Sequence, residues 1–438
     1  MGLRLLSIGD IEMKRLLELA ATLMLVAGMT GTAAAQGLSE TAGVVEGPGV
    51  KLGEATVVHP TLGAEAGVIS NVFYEEADTT TAGVLRILAQ LHYASLSAQR
   101  IAAEAPEEGG SSQGEFQFRA GLNLAYEEFL STNDNVQKQR DVAVSADFRG
   151  VVFPERTFMF TFGDEFVRQS RPTNFESPGS VDRDVNILNL AITFQPGGRA
   201  LSAALRYQNR IDFFEEENHK FANRIQHTFG LRGTWQWLPV TAFYADASIG
   251  IYDGLGGDAD AKISSNPLKL AVGTSTAITT LTTLNAEVGY TKGFYSEGPD
   301  YSAVIFSADF GWRYSPLGRL RLAYRYYHDD SINASFYRDH QIRLALAQQF
   351  DRFTFTGDVD VRFRHYENTI LVNDEMTRVR DDVIIAFNAG GRYHLRDWLA
   401  ATIDYRFVSD QTDFRDVMGG DDPSYVRHEI MAGVLGAF

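Results

Sequence analysis

Arginines and aspartates set two residues apart are the groups in this sequence best placed to do chemistry. Asp358, Asp360, Arg362 and Arg364 occupy alternate positions of one segment, and Arg319, Arg321 and Arg325 do the same in another. A planar guanidinium matches carboxylate and phosphate geometry. Rows of such groups bind, sort or steer charged solutes without breaking bonds. Nothing in the sequence resembles a catalytic constellation. The nine histidines show no H-E-x-x-H spacing, there is no G-x-S-x-G elbow, and no P-loop occurs. The chain has no cysteine, which removes zinc–thiolate sites, iron–sulfur clusters and thiol nucleophiles. Neither a metal nor another cofactor is implied. The Asp253-Gly254…Asp258-Ala259-Asp260 loop lacks EF-hand spacing and reads as an acidic surface loop. His92, His227 and His365 read as wall or interface residues. A net charge of −17 lacks the basic footprint of a nucleic-acid binder.

The elements that must position these side chains are strands. Between Arg352 and Tyr366, Phe353, Phe355, Gly357, Val359, Val361 and Phe363 alternate with Arg352, Thr354, Thr356, Asp358, Asp360, Arg362 and Arg364. Successive strand residues point to opposite faces, so this segment has one apolar and one charged wall. The pattern recurs at Leu201–Gln208, Arg319–Tyr326 and Leu399–Phe407. It predicts eighteen strands, near 57–73, 80–96, 114–129, 139–153, 156–170, 183–195, 199–213, 221–237 and 240–252, then 266–276, 280–295, 300–314, 318–329, 335–350, 352–366, 379–395, 398–410 and 424–438. Part of 82–105 also admits a helical reading, and Ser97 to Gln113 has the composition of a short helix.

Connector length distinguishes a membrane barrel from a soluble sandwich. Phe153 to Arg156, Pro196 to Gly198, Leu238-Pro239, Ser315 to Gly318, Asp351 and Arg396-Asp397 are tight joints. Those between them, such as Asn71 to Thr79, Arg171 to Asp182 and Asp410 to Pro423, are longer and polar. Tight periplasmic turns alternating with longer outer loops characterise an up-and-down transmembrane barrel. Trp235, Trp237, Trp312 and Trp398 all lie beside the tight joints, where an interfacial aromatic girdle belongs. The expected architecture is therefore all-β, a single antiparallel barrel over residues 57–438. Residues 1–35 read as a signal peptide: Lys14-Arg15, the apolar run Leu16–Met29, then Ala33-Ala34-Ala35, with translation starting at Met13 as one possibility. Residues 36–56 are expected to be a periplasmic segment.

If the apolar faces meet lipid, the other faces line the interior. That places Arg119, Arg206, Arg232 and Arg313 inside, together with Arg321, Arg325, Arg343, Arg362, Arg364, Arg392 and Arg406. Asp147, Asp246, Glu287, Asp309, Asp358, Asp360 and Asp404 join them, while much of the remaining acid sits in loops. Two readings stay open: a path for anions, or cross-strand pairs that only solvate the wall. Phe438 follows Ile430, Ala432 and Val434 on one face, like the final strand recognised by the barrel assembly machinery, although Gly436 departs from the usual aromatic.

With this signal peptide, these arginine-lined strands and Phe438, residues 57–438 resemble the β-barrel porins of Gram-negative bacteria often associated with exopolysaccharide synthesis and export. The resemblance implies an outer-membrane channel for a secreted polysaccharide or anionic solute, without enzymatic activity. It also implies contact with outer-membrane lipid and lipopolysaccharide, and with periplasmic polysaccharide-export proteins. A non-conducting scaffold or adhesin acting through its outer loops is the alternative, and an outer-membrane hydrolase a weaker one.

Overall fold

Alternating β-branched, aromatic and polar residues between short turns give strands that pair with their sequence neighbours. The computed structural model describes residues 49–52, 55–95, 115–154, 156–169, 182–197, 200–255, 263–296, 300–331, 334–369, 380–412 and 424–438. The expected signal peptide, most of the expected periplasmic segment and the Ser97–Gln113 joint lie outside them. The strands are β1 (Val50–Leu52), β2 (Thr56–Ile69), β3 (Ala82–Ser95), β4 (Phe116–Leu130), β5 (Asp141–Val152), β6 (Phe158–Gln169), β7 (Arg183–Phe194), β8 (Leu201–Phe214), β9 (Arg224–Leu238) and β10 (Thr241–Gly254). They continue with β11 (Ser265–Ala277), β12 (Thr282–Tyr295), β13 (Tyr301–Ser315), β14 (Gly318–Asp330), β15 (Ala334–Phe350), β16 (Phe353–Thr369), β17 (Arg380–Arg396), β18 (Leu399–Thr412) and β19 (Tyr425–Ala437).

Each strand from β2 to β19 pairs antiparallel with the next, and β19 returns to β2, closing the sheet. The result is the expected up-and-down barrel of eighteen strands. Closure satisfies the backbone N–H and C=O groups without leaving an edge, which is the condition for crossing a bilayer with strands. The seam ladder runs only from Glu429↔Ile69 to Ala437↔Thr61. Below it β1 takes over as partner of β2, through Val50↔Val58 to Leu52↔Thr56, and the Phe438 N–H donates to the Pro60 carbonyl at 3.0 Å. The seam strands approach closely on their inner side. A Cβ at Gly67 would collide with the Ile430 carbonyl, and one at Gly433 with the Ala64 carbonyl, so glycine is required at both positions.

The tight joints sit at one end of the barrel and most longer connections at the other, the exception being the long β3–β4 connection, which joins strands at the tight-turn end. Phe153 and Asp351 turn the chain with positive φ, 57° and 47°, the left-handed conformation that lets one or two residues reverse a strand. Two expected strand bounds need correction. The first strand ends at Ile69, not residue 73, because Asn71 adopts φ 51° and forms a side-chain turn. Its Nδ2 donates to the Glu75 carbonyl at 2.7 Å, and its Oδ1 accepts from the Glu75 N–H at 2.8 Å. Residues 221–223 do not open a strand: Glu217–Ala222 is a 3-10 turn that buries Ala222 against Phe214, and the Asn223 side chain caps the Phe214 N–H at 2.7 Å. Residues 82–95 form the expected strand, which removes the helical reading there. A four-residue helix, α1 (Asp134–Gln137), lies in the β4–β5 loop where the sequence reading had only a connector.

Candidate functional site

Strand parity divides the side chains into an outer and an inner wall. Leu62 and Val68 on β2, Ile87 on β3, Leu201 and Leu205 on β8 and Leu231 on β9 all point outward; Leu62 is 60% and Leu205 59% exposed. In water so continuous an apolar surface would drive aggregation; against hydrocarbon it costs nothing. At the tight-turn end Trp235 and Trp237 cluster with Phe243, with ring centroids 5.8–6.5 Å apart. Trp312 packs edge-on against Tyr314 at 5.7 Å, and Trp398 stacks on Phe438 at 6.0 Å. All four tryptophans face outward. Nearer the loop end a second outer motif repeats: Tyr207 with His227, Tyr324 with His340 and Tyr405 with His428, each joining hydroxyl oxygen to Nδ1 at 2.9 Å. His227 thus lies on the outer wall. Tyrosine and histidine combine an apolar body with a polar tip, suiting them to a membrane interface.

The inner wall receives every arginine and aspartate expected there. The Arg206 and Arg232 guanidiniums both pair with Asp246, Arg232 at 2.7 Å, and Arg232 also stacks over Tyr244. Asp309 pairs with Arg321, and Asp358 with Arg343 at 3.7 Å. Arg362 pairs with Asp360 at 3.0 Å. Arg364 makes a two-pronged contact with the fully buried Asp339, 2.8 and 2.7 Å, beneath the Tyr337 ring. Arg392 on β17 lies beside β18, which carries Asp404 and Arg406. Arg119, Arg313 and Arg325 have no ion pair within 4 Å among the described residues. The wall therefore combines the two readings left open by the sequence: most arginines are paired, and a few face the lumen unpaired.

Two clusters at the loop end of the inner wall are built in opposite sense. Arg86 on β3 touches three glutamates: Glu127 on β4 at 2.7 Å, Glu65 on β2 at 3.3 Å and Glu429 on β19 at 2.7 Å. Asp212 on β8, fully buried, gathers three arginines. Arg183 of β7 reaches one of its oxygens; Arg210 of β8 and Arg224 of β9 reach the other at 2.8 and 2.7 Å. Phe214 and Tyr252 lie under Arg183 and Arg224. A third cluster, at the rim, has Arg168 on Asp141 at 2.9 Å, Glu215 at 2.7 Å and Asp182 at 3.4 Å. Burial raises the pKa of the Asp182 carboxyl, which lies outside the strands, and Arg168 opposes the shift.

Among the described residues, loops pack onto the inner wall at the loop-end mouth. Tyr74, in the β2–β3 loop, packs on the inward-facing Ile384, Ala386, Val408 and Tyr425, and Arg427 stacks on its ring at 4.4 Å. Val136 of α1 is buried with Ile69, Val84, Phe129 and Met431. Both loops fold over the rim onto the inner wall.

The sequence reading missed Arg149, and it missed Arg86, Arg183, Arg210 and Arg224 with their acid partners. Their alternation was present, but several lie near strand ends, where a one-residue slip reverses the assigned face. Among the described residues no group of histidine and acidic side chains could hold a metal ion, and no helix is long and apolar enough to cross a membrane.

Comparison with known proteins gives no matching family model and no matching curated protein. Among solved structures, the chain is similar to OccAB3 of Acinetobacter baumannii at 11% identity and TM-score 0.46, covering 88% of this chain and 100% of that one. It is also similar to OccK2 (OpdF) of Pseudomonas aeruginosa in complex with glucuronate, at 12% identity and TM-score 0.43, covering 87% and 98%. OpdQ of Pseudomonas aeruginosa follows at 9% and 0.44, with the same coverage. The barrel assignment itself rests on this chain's own strand pairing.

Proposed function

We propose that this barrel is an outer-membrane channel of a Gram-negative bacterium that passes small anionic solutes. An eighteen-stranded barrel is wide enough for an aqueous channel, and the apolar outer wall suits a bilayer. The observation that carries the anionic preference is the set of inward arginines without ion pairs among the described residues, Arg119, Arg313 and Arg325 among them, on a wall where many other guanidiniums are held by carboxylates. Fixed positive charge raises the local concentration of anions and lowers that of cations. In planar bilayers under a potassium chloride gradient, the reversal potential is expected on the chloride side. A cation-selective current overturns the anionic reading, and no current at all favours the scaffold.

A second reading, export of an acidic polysaccharide with periplasmic export proteins, draws on the columns of arginine at Arg319, Arg321 and Arg325 and at Arg362 and Arg364. The inward-packed Tyr74 and α1 narrow the mouth and favour the small solute. Blocking the current with neutral polymers of graded size distinguishes the two, since a polymer conduit admits the larger ones. Insertion by the barrel assembly machinery, contact with lipopolysaccharide and removal of a signal peptide belong to the same proposal.

A further inference from the structure

On the inner wall of β4, β5 and β6, four charged residues face one another as like pairs. Arg119 lies directly opposite Arg149, and Asp147 directly opposite Glu165. Like charges directly across a strand pair repel. Elsewhere such charges are compensated: Glu127 lies opposite Asp141, but Arg86 holds the first and Arg168 the second, while Arg206 and Arg232 share Asp246. Here none of the four side chains makes a hydrogen bond or an ion pair within 4 Å among the described residues. Arg119 is exposed to the lumen and the other three are half-buried. The basic row and the acidic row are adjacent, two residues apart along β5, so about 7 Å separates them.

Two glycines keep the space open. Gly121 lets the Asp147 carboxylate lie against the β4 backbone, where a Cβ would collide with it. Beside Arg149, a Cβ at Gly163 would meet only the Phe148 carbonyl, at 3.3 Å. On the loop side the rows are bounded by neutral groups, the Asn123 amide donating to Ser145 Oγ at 3.0 Å.

We propose that this quartet is a binding step for a zwitterion, specifically a free amino acid. Two facing guanidiniums offer paired N–H donors to a carboxylate, and two facing carboxylates accept from the three N–H bonds of an ammonium. A simple anion satisfies the basic row and leaves the acidic row repelling itself; a simple cation does the reverse. Only a ligand bearing both charges a few bonds apart neutralises both rows. The step rests on the channel reading only for its place along a route; binding itself needs no conduction.

The experiment is calorimetric titration of the full barrel, folded in detergent, with glycine, and with acetate and methylammonium as single-charge probes. Glycine is expected to bind more tightly than either. Arg149→Gln and Glu165→Gln should each weaken glycine about tenfold, the loss of one charge-assisted contact. The Asp147→Asn, Glu165→Gln double variant should bind acetate more tightly and glycine more weakly. Retarded migration of unheated protein on gels verifies that each variant is folded. Acetate binding as tight as glycine, or glycine binding unchanged by both single variants, overturns the proposal. Absent current with intact glycine binding defeats the channel reading alone, and current without glycine binding defeats this inference alone.

Discussion

The seam of the barrel and the β7–β9 wall solve one problem with opposite charges. At the seam a single guanidinium, Arg86, is held among three carboxylates drawn from β2, β4 and β19. On the β7–β9 wall a single carboxylate, Asp212, is held among three guanidiniums. Arg86 reaches from β3 past β2 to β19, so it spans the closing ladder, which is shorter than β15–β16 with its register from Ala334↔Thr369 to Phe350↔Phe353. Asp212 joins strands already zipped by long ladders. The difference lies in what each cluster can do when its centre is lost. Carboxylates can take up protons, whereas arginine stays charged at any pH a protein survives.

Removing each centre tests that difference. Asp212→Ala leaves three guanidiniums crowded in a dry wall and is expected to cost about 3–5 kcal/mol, as for a broken buried ion pair, measured by urea unfolding from lipid vesicles. Lowering the pH should not restore it. Arg86→Gln is expected to cost about 3 kcal/mol at pH 7 by the same argument. Here stability should return as the pH falls toward the ordinary glutamic-acid range, about 4, because neutral carboxyls no longer repel. Equal pH responses in the two variants would break the comparison.

The rim cluster sharpens it, because Arg168 has the same three-acid surroundings as Arg86 but its side chain is 26% exposed. Arg168→Gln should cost about 1 kcal/mol or less, as for a solvent-screened pair, and the cost should shrink further in high salt. The smallest effects are expected from thinning the surroundings. Glu127→Gln and Arg210→Gln each remove one of three like charges and should change stability by less than about 1 kcal/mol, since the lost attraction is offset by relieved repulsion. A large loss from either, in the same unfolding assay, would mean that the three partners are not equivalent.

Much of the barrel could be read in the residues themselves. The alternation at Arg352–Tyr366 assigned both walls of β16, and the brevity of joints such as Leu238-Pro239 marked the tight-turn end. Local pattern could not show which inward charges meet. Arg86 and Glu429 are far apart in sequence and become neighbours only when β19 closes on β2. The fate of the loops was equally hidden. Tyr74 in a polar connector looks like any exposed tyrosine until Arg427 and Tyr425 are brought beneath it. The place of Arg149 emerges only from the register, which sets it opposite Arg119.

The loops folded onto the β2–β4 and β17–β19 side make the two ends of the lumen unlike one another. Among the described residues, Tyr74 and Val136 pack on that side, the turn Glu217–Ala222 packs on Phe214 of the β7–β9 wall, and no such packing crowds the described tight turns. A conduit with unequal mouths and unequal wall charge behaves as a diode. Voltages of equal size and opposite sign should drive unequal currents through it, and trimming the Tyr74 loop should make them more nearly equal.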